Sequence, residues 1–313
     1  MNPLSDVAVG RLRAVIDLPD AGDRYVTLEL LGRGGMGAVF RAHDTTLERD
    51  VALKVLTLEG EPEIAERLGR EARVLARLEH PGIVAIHDAG SLRDGRPFYV
   101  MRFVQGERLD EYASKSSRGE LLRVFLRVCD AVSYAHARGV IHRDLTPANI
   151  MVGEFGDVLV LDWGVAKLKG ESFSSVLSPG SPTTTADGTV VGTPGFMAPE
   201  QASGEAAAAD ARSDVYGLGA ILGSMLDALD APASRPLAAI VQRATANDPG
   251  GRYQSVDALA RDISHWLDGE PVESYREHVL ERVARIYRRN QALILLLLTY
   301  AIIRITILLW RGV

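Results

Sequence analysis

Alternating hydrophobic and polar positions in the first third of the chain predict a series of β-strands. Residues 25–31 read YVTLELL, and residues 39–44 (VFRAHD) and 51–56 (VALKVL) follow with a polar turn between them. Residues 83–104 continue the pattern around a turn at Arg93-Asp94-Gly95. Because successive side chains of a strand point to opposite faces, we expect strands with one buried face.

Helical spacing of apolar residues begins after these strands. One helix is predicted from the apolar positions Ile64, Leu68, Val74, Leu75 and Leu78. Another is predicted over residues 120–138, and it ends at Gly139, a residue type that favours helix C-termini. Residues 158–161, VLVL, read as a short buried strand. A β-rich unit is therefore followed by a largely helical one.

A glycine-rich stretch, Gly32-Arg33-Gly34-Gly35-Met36-Gly37-Ala38-Val39, follows the first predicted strand. Glycines at this spacing let backbone amides approach the phosphates of a nucleotide closely. A dinucleotide-binding turn gives the same pattern but opens straight into a helix. Since two strands follow here, the sequence favours a β-hairpin that covers the phosphates of a bound nucleotide.

Two acidic residues and an amide form the strongest candidate for catalytic chemistry. Asp144 and Asn149 lie in one loop, and Asp162 follows the predicted strand at 158–161. Carboxylate and amide oxygens suit Mg²⁺, and a carboxylate can accept the proton of a hydroxyl in phosphoryl transfer. The alternative is that these are loop residues that cap turns.

The combined motifs resemble those of eukaryotic-like bacterial serine/threonine protein kinases. The residues that carry the resemblance are His142-Arg143-Asp144-Leu145-Thr146-Pro147-Ala148-Asn149, Asp162-Trp163-Gly164, Gly32 to Val39, Val51-Ala52-Leu53-Lys54 and Ala198-Pro199-Glu200. The resemblance covers about residues 25–267. It implies an α+β, bilobal protein-kinase fold with a β-rich N-lobe and a helical C-lobe, to which we add one C-terminal transmembrane helix.

The domain organisation expected from this resemblance has five parts. These are a leader at 1–23, a kinase domain at 24–268 (N-lobe 24–104, C-lobe 105–268), a basic juxtamembrane segment at 269–290, a transmembrane helix at 291–310 and a tail at 311–313.

By resemblance, specific residues receive roles in ATP-dependent phosphoryl transfer. The expected catalytic residues are Asp144, Lys54, Glu71, Asn149 and Asp162, with Asn149 and Asp162 holding Mg²⁺ or Mn²⁺. The expected ATP-binding residues are Leu31, Gly32, Gly34, Gly35, Gly37, Val39, Ala52, Lys54, Met101, Val104 and Met151. Asp214 is expected to support the catalytic loop, and Arg252 to pair with Glu200.

A Ser-, Thr-, Gly- and Pro-rich segment, Lys167 to Gly192, occupies the activation-loop position. The phosphorylation candidates are Thr183, Thr184, Thr185 and Thr189, and Arg143 would offer a guanidinium to a phosphate there. The alternative is an unmodified linker. Trans-phosphorylation in a membrane homodimer is a hypothesis that rests on Arg143, the Thr-rich loop and the single predicted membrane span.

Three departures from the family pattern keep other functions open. Thr146 stands where these kinases usually have a Lys, Trp163 replaces Phe, and the region from Glu200 to Arg252 is short. We therefore weigh a nucleotide-binding pseudokinase that acts as a membrane-tethered scaffold against an active kinase that phosphorylates protein serines and threonines. A kinase that phosphorylates small molecules is a third, weaker interpretation. The Gly-Thr-Pro and Ala-Pro-Glu segment argues against it.

Composition narrows the range of partners. The net charge is −6, which argues against nucleic acid as the main partner. Cys129 is the one cysteine, so an intramolecular disulfide is excluded.

The C-terminal stretch 292–310, ALILLLLTYAIIRITILLW, is about long enough to cross a bilayer. Its Leu and Ile residues contribute about −4 to −7 kcal/mol to insertion, against about +2.5 to +3.5 kcal/mol for Arg304. Basic residues precede the stretch at Arg282, Arg285, Arg288 and Arg289, and Arg311 follows it. This bias predicts a single-pass cell-membrane protein with a cytoplasmic kinase domain. The alternative is a helix packed on the domain or lying in the membrane interface.

Overall fold

The N-terminal lobe is an antiparallel sheet. The computed structural model describes residues 18–34, 37–56, 75–163, 167–168, 195–203, 210–229, 232–289 and 291–311. The strands are β1 (Tyr25–Gly34), β2 (Gly37–Asp44), β3 (Arg49–Leu56), β4 (Ile86–Ser91) and β5 (Pro97–Arg102), in the spatial order β1-β2-β3-β5-β4. One face buries Phe40, Leu53 and Val100. The alternating apolar residues of β1 are exposed instead, with Val26 48%, Leu28 45% and Leu30 43% accessible.

Short strands and helices build the second lobe. The strands are β6 (Gly106–Arg108), β7 (Val140–Ile141), β8 (Ile150–Gly153), β9 (Val158–Val160) and β10 (Lys167–Leu168). Among the described residues up to 267, the helices are α1 (Leu109–Ala113), α2 (Arg118–Ala137), α3 (Pro199–Ala202), α4 (Ala211–Asp227), α5 (Arg235–Ala244) and α6 (Val256–Leu267). The α+β, two-lobed architecture expected from the sequence is confirmed. The helix predicted around Ile64 to Leu78 lies mainly outside the described residues.

Helix α2 is the central helix of the second lobe. Ser117 and Glu120 cap its N-terminus reciprocally, with side chains and backbone N–H groups exchanging hydrogen bonds. Gly139 follows its C-terminus with φ of +77°, which an L side chain rarely adopts. The apolar face of α2 buries Leu122, Phe125 and Val132 against the core. Each such buried side chain contributes roughly 1.5–3 kcal/mol, so this helix is a rigid support for the loop after it.

Helices α4 and α5 approach each other closely at one glycine. A Cβ added at Gly219 would lie 2.5 Å from the Cβ of Ala244. This contact is much shorter than packing allows, so a larger residue would push the two helices apart.

Residues beyond α6 fold back onto the second lobe. Asp262 is 2% exposed and accepts hydrogen bonds from the backbone N–H groups of Glu273 (2.7 Å) and Ser274 (3.1 Å) and from the hydroxyl of Tyr253 (2.7 Å). Val272 is buried in the same hydrophobic core as the helices. The domain boundary at residue 268 stays a prediction, and these contacts show that several residues past it are fixed to the lobe.

Two more helices end the described chain, α7 (Val279–Arg289) and α8 (Gln291–Arg311). Large apolar side chains of α8 are exposed, with Leu296 68% and Ile302 63% accessible. Within the described ranges, however, no helix has the combined length and apolarity needed to cross a bilayer. The predicted transmembrane helix is therefore not supported.

Candidate active site

The loop between β7 and β8 brings Asp144 and Asn149 together. Asn149 ends the short 3-10 helix Pro147–Asn149 just before β8. Its Nδ2 donates to the backbone oxygen of Asp144 at 2.8 Å and to the Asp144 carboxylate at 3.4 Å. These bonds use the donor side of the amide. Because the other side of an amide is a carbonyl oxygen, Asn149 keeps an acceptor that can bind a hard cation.

Asp214, at the start of α4, holds this loop from below. Its carboxylate is 1% exposed and accepts from the backbone N–H groups of His142 and Arg143, both at 2.8 Å, and from Nε2 of His136 at 2.7 Å. Burial raises the Asp214 pKa, but the hydrogen bond and charge of His136 and the backbone donors outweigh it and lower the pKa overall. Asp214 therefore stays ionised and fixes two amides next to Asp144.

The backbone at Arg143 has φ of +70°, which is uncommon for a residue with a side chain. The Asp214 bond to its amide and a bond from the Gln201 side chain to its carbonyl, at 2.9 Å, hold this conformation. The expected contact of Arg143 with a phosphothreonine is outside the described part of the chain, since residues 169–194, including the candidates at 183–185 and 189, are not described.

His142 joins the catalytic loop to the strand that leads to Asp162. Its Nε2 lies 3.0 Å from the backbone oxygen of Leu161, and its Nδ1 accepts from the amide of Asp144 at 3.3 Å. Burial lowers the His142 pKa, so the ring is neutral, with the proton on Nε2. The ring also packs on Trp163, 4.6 Å between centroids. Sequence reasoning gave His142 no role.

Asp162 follows β9 in a left-handed backbone conformation, with φ of +54°. The preceding residue is tied to the catalytic loop, because the Leu161 amide donates to the Asn149 carbonyl at 2.7 Å. Trp163 is 1% exposed and donates from Nε1 to the Val160 oxygen at 3.1 Å. The indole thus fills an apolar site, and the backbone of Asp162 is held in a conformation that costs roughly 1–3 kcal/mol.

Lys54 on β3 reaches across the cleft and contacts the Asp162 carboxylate. Its side chain is 11% exposed. Burial lowers the Lys54 pKa, but contacts with Tyr99 and Asp162 outweigh it, so the pKa is raised overall and the ammonium stays charged. Glu71, the predicted partner of Lys54, lies outside the described residues.

The expected nucleotide pocket is lined by a small apolar cluster under the glycine-rich hairpin. Ala52 pairs directly with Met101 between β3 and β5, and both are buried beside Val39. Gly34 and Gly37 close the β1–β2 hairpin opposite each other. Of the other expected residues, Leu31 and Gly32 lie on β1, Met151 lies on β8 and Val104 lies just after β5, while Gly35 is not described. Their binding roles stay predictions.

A buried ion pair between Glu200 on α3 and Arg252 attaches the segment around α3 to the rest of the helical lobe. Arg252 is 1% exposed and donates from two nitrogens to both carboxylate oxygens of Glu200, each at 2.8 Å. Ser213 donates to the same carboxylate at 2.8 Å. Burial raises the Glu200 pKa, but these bonds lower it to about 2 overall. The pair expected from the sequence is thus present, in bidentate geometry.

Thr146 lies on the floor of a narrow cleft between the catalytic loop and α4. It is 6% exposed, and the cleft around it is also lined by Asp144, Phe196 and Gln201. A threonine here carries no charge that could reach a phosphate. Among the described residues, the lysine that contacts the candidate metal-binding carboxylate of Asp162 is Lys54.

Comparison with known proteins identifies the fold and its relatives. Residues 25–236 match the family model described as protein kinase domain. The chain is 36% identical to the serine/threonine-protein kinase PknD of Protochlamydia amoebophila and 36% identical to the serine/threonine-protein kinase PknB of Mycobacterium tuberculosis, covering 80% of this chain in each case. It spans 31% and 44% of the lengths of those relatives.

A solved structure is also similar. The Mycobacterium tuberculosis PknI kinase domain aligns with a TM-score of 0.58 and 27% identity, covering 79% of this chain and 98% of that domain. The two-lobed fold is therefore shared with a solved protein kinase domain.

Proposed function

Because the chain belongs to the protein kinase family and its curated relatives are serine/threonine kinases, we propose that it transfers the γ-phosphate of ATP to Ser and Thr hydroxyls of proteins. The observation that carries the proposal is the alignment of Asp144, Asn149 and Asp162 on one rigid frame. Asp214 and His142 tie that frame to two elements of the second lobe. Most of the catalysis in phosphoryl transfer is positioning and charge stabilisation, which such a frame supplies.

The donor set fits Mg²⁺, and it also accepts Mn²⁺. Asn149 offers an amide oxygen and Asp162 a carboxylate, and Mg²⁺ binds through one or two such groups together with substrate phosphates. The ion, when bound, neutralises charge on those phosphates. In this structure the Lys54 ammonium contacts one oxygen, Oδ1, of the Asp162 carboxylate, whose side chain is 44% exposed.

Asp144 supplies the base in this mechanism. Its carboxylate accepts the proton of the attacking hydroxyl while Asn149 holds the backbone beside it. Lys54 offers its ammonium to the α- and β-phosphates, as the family resemblance implies. Asp214 acts indirectly, by fixing the backbone amides of the catalytic loop.

The experiment that tests the proposal is label transfer from γ-labelled ATP with Mg²⁺, using the full chain beside the variant Asp144→Asn. Label in the parent chain that is lost in the variant supports the kinase, and peptide mapping to 183–189 would add loop phosphorylation. Absence of label with nucleotide still bound in a thermal-shift measurement would favour the scaffold instead. Trans-phosphorylation in a homodimer predicts a rate that rises with protein concentration.

The scaffold is retained as a second candidate because of Thr146. We expect Thr146→Lys to raise kcat, by up to the roughly 10²–10³ that single electrostatic stabilisers contribute. The measurement is kcat at saturating ATP, with Thr146→Met as a control of similar length and no charge. If Thr146→Lys and Thr146→Met give the same kcat as the parent, the missing lysine is not what limits the chain.

We also propose that the C-terminal helices attach the kinase to a lipid bilayer, with the kinase domain on the cytoplasmic side. The support is the exposed apolar surface of α8 together with the basic sequence of α7. One of its arginines is used internally, because Arg285 bonds to Glu277 at 2.8 Å. Attachment by α8 does not require that the helix crosses the membrane.

Vesicle flotation tests this attachment. The full chain should float with phosphatidylcholine–phosphatidylglycerol vesicles, and the double variant Leu296→Glu with Ile302→Glu should lose most of that binding, since charge is costly in lipid. Phe155→Glu is the matched control, because Phe155 is 94% exposed on the turn between β8 and β9, away from α8 in the sequence. Release by high salt would indicate surface binding rather than insertion, and a parent chain that stays at the bottom of the gradient would contradict attachment.

A further inference from the structure

Gln201, on α3, bonds to two different segments of the chain. Its Oε1 accepts from the backbone N–H of Ala198 at 3.3 Å, and its Nε2 donates to the backbone oxygen of Arg143 at 2.9 Å. The first bond is local, because a glutamine in the first turn of a helix can reach back to the residue before the helix. The second bond spans 58 residues and joins α3 to the catalytic loop.

The backbone that carries Gln201 is itself held in place. The neighbouring residue, Glu200, accepts from two nitrogens of Arg252 and from the hydroxyl of Ser213, each at 2.8 Å. The amide of Gln201 therefore reaches the catalytic loop from an anchored helix. Its bond to Arg143 restrains the loop, because α3 is already fixed by other contacts.

This bond acts on the peptide group that leads into Asp144. A peptide group is planar, so the carbonyl oxygen of Arg143 and the N–H of Asp144 rotate together. The N–H end donates to Nδ1 of His142 at 3.3 Å, and Gln201 holds the carbonyl end. The φ of +70° at Arg143 persists only where neighbouring contacts impose it. Rotation of this peptide group would turn the Asp144 side chain.

The two bonds of Gln201 require a side chain with both a donor and an acceptor. A carboxamide offers both, whereas a carboxylate of the same shape offers acceptors alone and would set an anion against the Arg143 oxygen. Gln201 lines the narrow cleft that also contains Asp144 and Thr146. Replacement by glutamate thus removes one donor beside the candidate base with almost no change of volume.

We propose that Gln201 is a positioning residue for Asp144. It fixes the carbonyl end of the peptide group between residues 143 and 144, and through it the direction in which the carboxylate meets the attacking hydroxyl. The catalytic part of this inference rests on the proposed function, because it takes Asp144 as the base. The fixed peptide group does not depend on whether the chain transfers phosphate.

The first test measures the peptide group and needs no activity. Hydrogen exchange at single-residue resolution compares the full chain with Gln201→Glu and with Gln201→Met, which has a similar length and no donor. The Asp144 amide should exchange about tenfold faster in both variants, since one hydrogen bond contributes about that factor to local opening. The amides of His142 and Arg143 should stay protected, because Asp214 holds them.

The second test is catalytic. In Gln201→Glu, kcat for phosphate transfer should fall about tenfold while KM for ATP stays within about twofold, since no contact with nucleotide is assigned to this side chain. Gln254→Glu is the matched control, because Gln254 also donates to a backbone oxygen, that of Arg252, at 2.9 Å. A merely structural role would lower Tm in both variants and leave both kcat values at that of the parent chain.

The outcomes separate this inference from the proposed function. Unchanged exchange at Asp144 in both Gln201 variants would overturn the role of Gln201, whatever the activity. Faster exchange with an unchanged kcat would overturn it as well. Faster exchange in the variants of a parent chain that transfers no phosphate would keep the fixed peptide group and contradict the kinase activity. Faster exchange with reduced kcat, and neither change in Gln254→Glu, is the expected result.

Discussion

Replacing Asp144 with Asn should lower kcat for phosphate transfer about 10³-fold, within the roughly 10²–10⁴ that general base catalysis contributes. The fold should be preserved, because the main bond from Asn149 goes to the backbone oxygen of residue 144, at 2.8 Å, and remains in the variant. KM for ATP should stay within about threefold, since no contact with nucleotide is assigned to this side chain. Steady-state kinetics on the full chain measure both quantities.

A control separates the missing base from a general effect of charge. Asp110→Asn makes the same chemical change on α1, where the side chain is 52% exposed beside Arg108. That variant should keep the parent kcat. If Asp144→Asn also kept it, Asp144 would not be the base, and the proton would have to go elsewhere.

Replacing Arg252 with Leu should lower the free energy of unfolding by about 3–5 kcal/mol, because it leaves the Glu200 carboxylate without its buried partner. For a domain of this size that corresponds to a fall in Tm of roughly 10 °C. Urea unfolding followed by circular dichroism measures the change. The matched control is Arg235→Leu, since the pair of Arg235 with Glu281 is 3.5 Å long and the arginine is 77% exposed.

The pH dependence gives a second check on the same pair. The Glu200 pKa is depressed to about 2 from an ordinary value of 4.5, so its contribution to stability is complete above about pH 4.5 and is lost as the pH falls toward 2. The difference between the parent and Arg252→Leu should shrink over that interval. A constant difference would mean that the loss came from packing of the guanidinium and not from its charge.

Replacing both partners distinguishes the cost of an unpaired buried carboxylate from the loss of the other contacts of the guanidinium. The double variant Glu200→Met with Arg252→Leu should recover part of the lost stability, because apolar residues of similar volume do not leave a charge buried. A double variant as unstable as Arg252→Leu would assign the loss to the other bonds of the guanidinium, to the backbone oxygens of Ala246, Arg212 and Asn247.

Much of this site can be predicted from the sequence because its chemistry allows only a few residue types. Asp144, Asn149 and Asp162 are residue types that metal and proton transfer require, and they follow strands that bring them to one edge of the cleft. Asp214 and the pair of Glu200 with Arg252 followed from resemblance, and the geometry agrees with both. The two-lobed fold also followed from the resemblance, and the order of predicted strands and helices along the chain was consistent with it.

Other contacts depend on long-range geometry that one sequence does not contain. His142 lies two residues before Asp144 in the sequence, yet its bond to Leu161 depends on how β9 passes the loop. The position of Tyr99 opposite Lys54 depends on the register of two strands that are far apart in sequence. Hydropathy alone predicted a membrane-spanning helix, which the described residues do not support.

The hydrogen bonds to Asp262 limit the distance between the active-site cleft and the surface to which α8 is attached. A flexible linker would let the kinase sweep a sphere whose radius grows with linker length. Here, residues 272–274 are fixed to the lobe, and Tyr275 donates to Glu281 on α7 at 3.0 Å. The connection between the second lobe and α7 is therefore short and fixed, unlike a flexible linker. With α8 attached to a bilayer as proposed, substrates at the height of the cleft would meet a high effective concentration of kinase, and substrates further away would meet almost none.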